Sequence, residues 1–167
     1  MSFKQIPLGS IEKCNVIIEI PTGSSVKYEY DEKLDNMKLD WIFENNFCFP
    51  YNYGFIPKTR GGDGDMLDAF VITTYPLGIG TIAESRPIGI IKLLDRGEQD
   101  DKIICVASAD PTYKSCNELR DLPFDYQKLF NDFFIELGRQ KNKHMEIQGY
   151  ESTAQAKRMI QESHTKF

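Results

Sequence analysis

Cysteine and histidine are scarce in this sequence. Four cysteines and two histidines occur among 167 residues. Cys14, Cys48, Cys105 and Cys116 are widely spaced, and no pair has the separation of zinc ligands, which argues against a structural zinc site. Three of the four sit in apolar contexts and read as reduced core residues of a cytoplasmic protein rather than disulfide partners. His144 and His164 each stand alone and read as surface residues. Basic residues are not in excess: 20 Lys and Arg face 25 Asp and Glu, a net charge of -5. That balance argues against a general nucleic-acid binder, which carries a basic face. No apolar run reaches membrane-spanning length, so no membrane partner is expected. Residues 1–7 are short and mixed and lack a signal-peptide pattern. Internal repeats and low-complexity linkers are also missing.

What the chain does have is the material of a core. Eleven Phe and eight Tyr in 167 residues argue against extensive disorder. The length suits a single domain, residues 1–167, with a sizeable core. The first two thirds read as short strands separated by turns: Asn15 to Ile20, Val26 to Tyr30, Met37 to Ile42, Ala69 to Thr73, Ile88 to Leu94 and Lys102 to Ala107. Strands at this spacing suggest a small closed barrel. The last third changes period. Leu129, Phe130, Phe133, Phe134 and Leu137 recur at helical spacing and form an apolar stripe that should face the barrel. Asp125 is a candidate N-cap, and Gly138 falls at the expected helix end. Ser152 followed by Gln155 fits a capping box for a second helix through Ala156, Met159 and Ile160. Residues 144–149 could add one more strand between the helices.

Acidic residues cluster at Asp63-Gly64-Asp65-Met66-Leu67-Asp68, just before the apolar run Ala69-Phe70-Val71-Ile72. Crowded carboxylates repel one another unless a cation sits among them. Hard divalent cations such as Mg²⁺ take oxygen ligands and suit such a cluster. Gly64 permits a tight turn that lets the flanking carboxylates converge. A calcium loop fits less well, because its fifth and sixth positions would be Leu67 and Asp68 where Asp or Asn and then Gly are wanted. A second acidic group, Asp95 with Asp100 and Asp101, lies between two apolar runs that read as paired strands. Lys27-Tyr28-Glu29-Tyr30 alternates, placing Lys27 and Glu29 on one face. Many carboxylates and a few lysines suit metal-bridged phosphate chemistry.

These pieces occur in an order that resembles the family I soluble inorganic pyrophosphatases. The family signature is Asp-x-Asp-x-x-Asp before an apolar residue, and Asp63 to Ala69 matches it, with Met66 where Pro is usual. Ile18-Glu19-Ile20-Pro21, Lys27-Tyr28-Glu29, Phe49-Pro50-Tyr51-Asn52-Tyr53-Gly54-Phe55-Ile56, Tyr75-Pro76-Leu77 and Arg86-Pro87-Ile88-Gly89 also match. So do Asp95, Asp100 and Lys102. The resemblance implies an α+β, mainly β fold: a five-stranded antiparallel OB-like barrel with two flanking C-terminal helices. It implies hydrolysis of pyrophosphate to two phosphates by direct attack of metal-activated water, without a covalent intermediate. Several Mg²⁺ ions per site are implied, with Mn²⁺ as a possible substitute. Asp63, Asp68 and Asp100 match metal ligands, Asp95 a ligand for a further metal near substrate, and Glu19 an outer ligand acting through water. Asp65 matches the general base. Lys27, Tyr53 and Lys102 match residues that hold phosphate oxygens, and Glu29 an active-site acid. A cytoplasmic homo-oligomer is implied, a hexamer in preference to a dimer for so short a chain.

The sequence also departs from the family. Trp41 stands where Arg is usual, Leu137 and Gly138 where Tyr-Lys is usual, Phe49 where Tyr is usual, and Arg96 where an acid is usual. Arg139, Lys141 and Lys143 follow closely after the second of these and could swing in to the site, and Arg96 could return a positive charge to it. An indole carries no charge and cannot grip phosphate as a guanidinium does. Two further readings therefore stay open. One is a catalytically weakened or inactive protein that binds metal and phosphate. The other is a hydrolase of another phosphoanhydride, such as a nucleotide, with Trp41 stacking on the base.

Overall fold

The structure, a computed structural model, describes residues 2–165. Nine strands and two α-helices follow one another in this order. First come β1 (Cys14–Ile20), β2 (Val26–Asp31), β3 (Asn36–Ile42), β4 (Asn52–Phe55) and β5 (Asp68–Ile72). Next come β6 (Ile82–Asp95), β7 (Glu98–Gln99), β8 (Lys102–Ala107), α1 (Tyr126–Gln140), β9 (Met145–Glu151) and α2 (Thr153–Thr165).

Five strands close on themselves. β1 pairs with β4, β4 with β5, β5 with β8, β8 with β6, and β6 returns to β1. This is the expected mainly β barrel. Four of its five pairings are antiparallel, and β5–β8 is parallel, with Asp68 opposite Lys102. β6 starts at Ile82, six residues before the expected Ile88, because it runs straight through Pro87. Proline cannot donate to a ladder, and the register to β8 slips between Pro87 and Gly89, a bulge that accommodates it. β2 and β3 form a separate two-stranded ribbon that leaves Leu39 and Ile42 exposed.

The ring strands bury apolar side chains on both faces, which is why β1 and β8 read as near-continuous apolar runs. One face packs under α1, where Phe130, Phe133 and Phe134 meet Phe49, Tyr53 and Phe70. The other carries Ile18, Val71, Ile103 and Cys105 against Ala156 and Ile160 of α2. Each fully buried Phe contributes roughly 1.5–3 kcal/mol relative to exposure. Asp125 caps α1, its side chain accepting the Lys128 N–H at 3.1 Å. Ser152 accepts the Gln155 N–H at 3.3 Å at the start of α2.

α1 does not end at Gly138, as its glycine suggested. It continues to Gln140, and the left-handed residue after it is Asn142, at φ 52°. Gly138 serves packing instead: a Cβ there would lie 2.6 Å from the Lys143 carbonyl oxygen. Cys14, Cys105 and Cys116 are buried and free, and Cys48 is exposed. No helix among the described residues is long and apolar enough to cross a membrane.

Candidate active site

One cavity of about 460 Å³ opens where the β2–β3 ribbon, the 61–67 loop, the β6–β8 connection and the end of α1 meet. Glu19, Lys27, Glu29, Tyr53, Asp63, Asp65, Asp68, Asp95, Asp100 and Lys102 all line it. The fold thus gathers every candidate site residue from segments more than eighty positions apart.

Each side chain is placed by its own backbone. Glu19 leaves the buried strand β1 and accepts the Tyr30 N–H at 2.7 Å. Burial, then the nearby Asp68, push its carboxyl up to about 8. On the ribbon, Lys27 pairs with Trp41 and Tyr28 with Leu39, so Asp40 is the extra residue of a bulge. Lys27 Nζ then reaches Asp40 Oδ2 at 2.6 Å and Glu29 Oε2 at 3.8 Å. In the acidic loop, Gly64 takes φ +86°, the Asp65 N–H donates to Asp63 Oδ1 at 3.0 Å, and the Gly61 N–H donates to the Asp65 carbonyl at 2.8 Å. This tight turn exposes Asp63 and Asp65, while Asp68 is already the first residue of β5.

The parallel pairing of β5 with β8 sets Lys102 beside Asp68. Lys102 Nζ lies 2.6 Å from Asp68 Oδ2, 3.0 Å from Asp100 Oδ2 and 5.7 Å from the centre of the Tyr53 ring. Burial alone would lower the Lys102 pKa, but Asp68, Tyr53 and Asp100 outweigh it and hold it well above the ordinary value. Tyr53 is buried, and burial keeps its phenol protonated. Asp95 closes β6 before a tight turn in which Arg96 and Gly97 both have positive φ, as a type I′ turn requires. Partial burial would raise its carboxyl, but Lys143 at 2.7 Å and Arg96 at 3.3 Å more than offset that, and the net shift is downward.

The donor set fits a hard divalent cation. The groups converging on the cavity are carboxylates, and their crowding is visible in their protonation. Burial, then Asp63 and Asp68, raise Asp65. Burial, with Asp68 and Asp63 and against Lys102, raises Asp100. A bound dication would relieve that repulsion. Among the described residues, no three acidic, cysteine or histidine side chains are grouped as metal ligands. Lys102 Nζ lies between Asp68 and Asp100, bridging the two carboxylates.

A family model for inorganic pyrophosphatase matches residues 16–167. This chain belongs to the inorganic pyrophosphatase family. It is 41% identical over 155 residues to the inorganic pyrophosphatase of Saccharolobus solfataricus, covering 91% of this chain and 90% of the relative. It is 36% identical to soluble inorganic pyrophosphatase 1 of Arabidopsis thaliana over 95% of this chain and 75% of that one. The crystal structure of the Thermus thermophilus inorganic pyrophosphatase superposes with a TM-score of 0.92 at 32% identity, covering 99% and 98% of the two chains.

Set against the family pattern, the departures from it now have positions. Leu137 is buried and lines the cavity with its apolar side chain, and Gly138 is buried inside α1. Of the helix-end cations that could swing in, Lys141 and Lys143 line the cavity. Lys143 pairs with Asp95, and Lys141 lies over the Trp41 ring at 5.5 Å. Nothing in local spacing distinguishes them from solvated helix-end cations. His144 is exposed 3.7 Å from Glu146, and His164 Nδ1 lies 2.8 Å from the Lys58 carbonyl oxygen, both outside the cavity.

Proposed function

We propose that this chain hydrolyses inorganic pyrophosphate to two phosphates with Mg²⁺, or Mn²⁺ in its place. The observation that carries this reading is the division of one cavity between oxygen donors and ammonium groups. Pyrophosphate needs both, since its charge repels an attacking hydroxide. Asp63, Asp68, Asp95 and Asp100 hold the cations, with Glu19 behind them. When bound, those cations lower the charge on pyrophosphate and the pKa of the attacking water.

Asp65 accepts the proton of that water. As an exposed carboxylate on the cavity wall, it can take up that proton beside the cations. Lys27 and Lys102 hold phosphoryl oxygens, and the buried Tyr53 hydroxyl donates to one. Glu29 keeps Lys27 oriented. The attack is direct, so no covalent intermediate forms on the protein. We further propose a cytoplasmic homohexamer of single-domain chains. The exposed Leu34, Leu39 and Ile42 of the ribbon favour assembly.

A substrate panel in Mg²⁺ tests the reaction. Phosphate release from pyrophosphate should far exceed release from nucleoside di- and triphosphates. Faster release from a nucleotide would overturn the assignment.

A further inference from the structure

The lysines of the cavity are not equivalent. Lys27, Lys102 and Lys143 each pair with a carboxylate that also lines the cavity or lies beside it. Arg96 pairs with Asp95. Lys141 lines the same cavity with no salt bridge or hydrogen bond to a side chain among the described residues. Its one specific contact is the face of Trp41, 5.5 Å from Nζ to the ring centre.

We propose that Lys141 is a substrate-binding residue of this cavity, taking a phosphoryl group of pyrophosphate and of the phosphate product, with Trp41 as its positioning residue. The proposal rests on the hydrolysis reading above and assigns a role within the same site.

Three observations support it. The backbone of Lys141 is fixed, because its N–H closes the last turn of α1 on the Leu137 carbonyl at 3.0 Å. The side chain then runs over Trp41, which is the cross-strand partner of Lys27. An ammonium serving only the helix dipole would stay with the terminal carbonyls. Finally, Lys141 is half-buried near Lys27 and Lys143, an arrangement that costs energy without an anion. Burial, then those two lysines, lower its pKa, against the opposing pull of Asp40 and Glu29. An incoming phosphate would remove the cost. The indole holds the cation without neutralising it, so the charge stays available.

Trp41 is the chain's single tryptophan, and so reports on its own contact. The probe is imidodiphosphate, a non-hydrolysable analogue, titrated in Mg²⁺ by calorimetry and by tryptophan fluorescence. Binding should change the fluorescence as Nζ turns from the ring to the anion. Lys141→Met should weaken binding roughly 10- to 100-fold, the range for a hydrogen bond to a charged group, and abolish the fluorescence change. Lys141→Arg should keep affinity within a few-fold of the parent. Lys128→Met, a surface control with the same change of charge, should bind as the parent does. Trp41→Leu should weaken binding less than Lys141→Met, and Trp41→Phe less again. Thermal melts check that each variant is folded. Folded Lys141→Met binding within twofold of the parent would overturn the proposal. If the parent binds imidodiphosphate through Lys141 but releases no phosphate from pyrophosphate, the hydrolysis reading fails and the Lys141 site stands. If the parent hydrolyses pyrophosphate and Lys141→Met binds normally, only the Lys141 site fails. A parent that does not bind the probe overturns the Lys141 site directly.

Discussion

Lys102 and Asp68 begin two parallel strands in register, and their side chains meet at 2.6 Å at the floor of the cavity. The pairing joins fold to function, because the ladder that closes the barrel also fixes the charge pair. Lys102→Met should therefore weaken both. Losing the charged hydrogen bond of this buried lysine should cost about 1.5–3 kcal/mol in urea unfolding. If Lys102 also holds a phosphoryl oxygen, kcat should fall on the order of 10²–10³. A stability loss with unchanged kcat would confine Lys102 to structure.

Asp65 shapes the loop turn through its backbone N–H and carbonyl, not its carboxylate. Asp65→Asn should keep the fold and the metal affinity while lowering kcat by on the order of 10²–10⁴, the usual contribution of a general base. Calorimetry with Mg²⁺ beside steady-state kinetics separates the two effects. Equal kcat in parent and variant would remove Asp65 from proton transfer.

Glu19 gives a pH dependence with a definite sign. Its folded pKa of about 8 lies above its ordinary 4.5, so the native state binds the proton more tightly than the unfolded chain. Its contribution to stability is full below pH 4.5, is lost as pH rises toward about 8, and is flat above that. In a chelator, the urea midpoint should fall across this window. Glu19→Gln should flatten that part of the profile and be the more stable protein above the window. A parent profile without this slope would mean that Glu19 is not desolvated as described.

Gly138 separates helix propensity from packing. Propensity alone predicts that Gly138→Ala gains about 1 kcal/mol. The added Cβ would lie 2.6 Å from the Lys143 carbonyl, an overpacking that costs about 1–3 kcal/mol. A net loss of stability is expected, with the shift felt at Lys141 and Lys143. A net gain would show that the 141–143 turn yields freely.

Much of this was legible in the sequence because the signals were local. Alternation and apolar runs located six strands, the 3.6-residue aromatic stripe located α1, and Asp125 and Ser152 marked helix starts. The acidic motif and its ordered companions named residues that the fold does gather. What escaped depends on contacts between distant segments. β4 is four buried residues, too short to announce itself, with Gly54 so close to β1 that a Cβ would sit 1.9 Å from the Ile17 carbonyl oxygen. The reach of β6 through Pro87 depends on a bulge against β8. The end of α1 was misplaced because a glycine kept small for packing resembles a glycine that ends a helix. Lys141 could be named only as one of several helix-end cations able to swing in, and the tertiary path of its side chain over Trp41 is what sets it apart.

Hydrolysis of pyrophosphate in this cavity should depend on a divalent cation. The deciding measurement is phosphate release from pyrophosphate by the purified chain in Mg²⁺, in EDTA, and after Mg²⁺ is restored. Multiple turnovers are expected in Mg²⁺, with loss of release in EDTA and recovery on adding Mg²⁺ back. No release above the protein-free rate in Mg²⁺ or Mn²⁺, from a chain that remains folded, would contradict it.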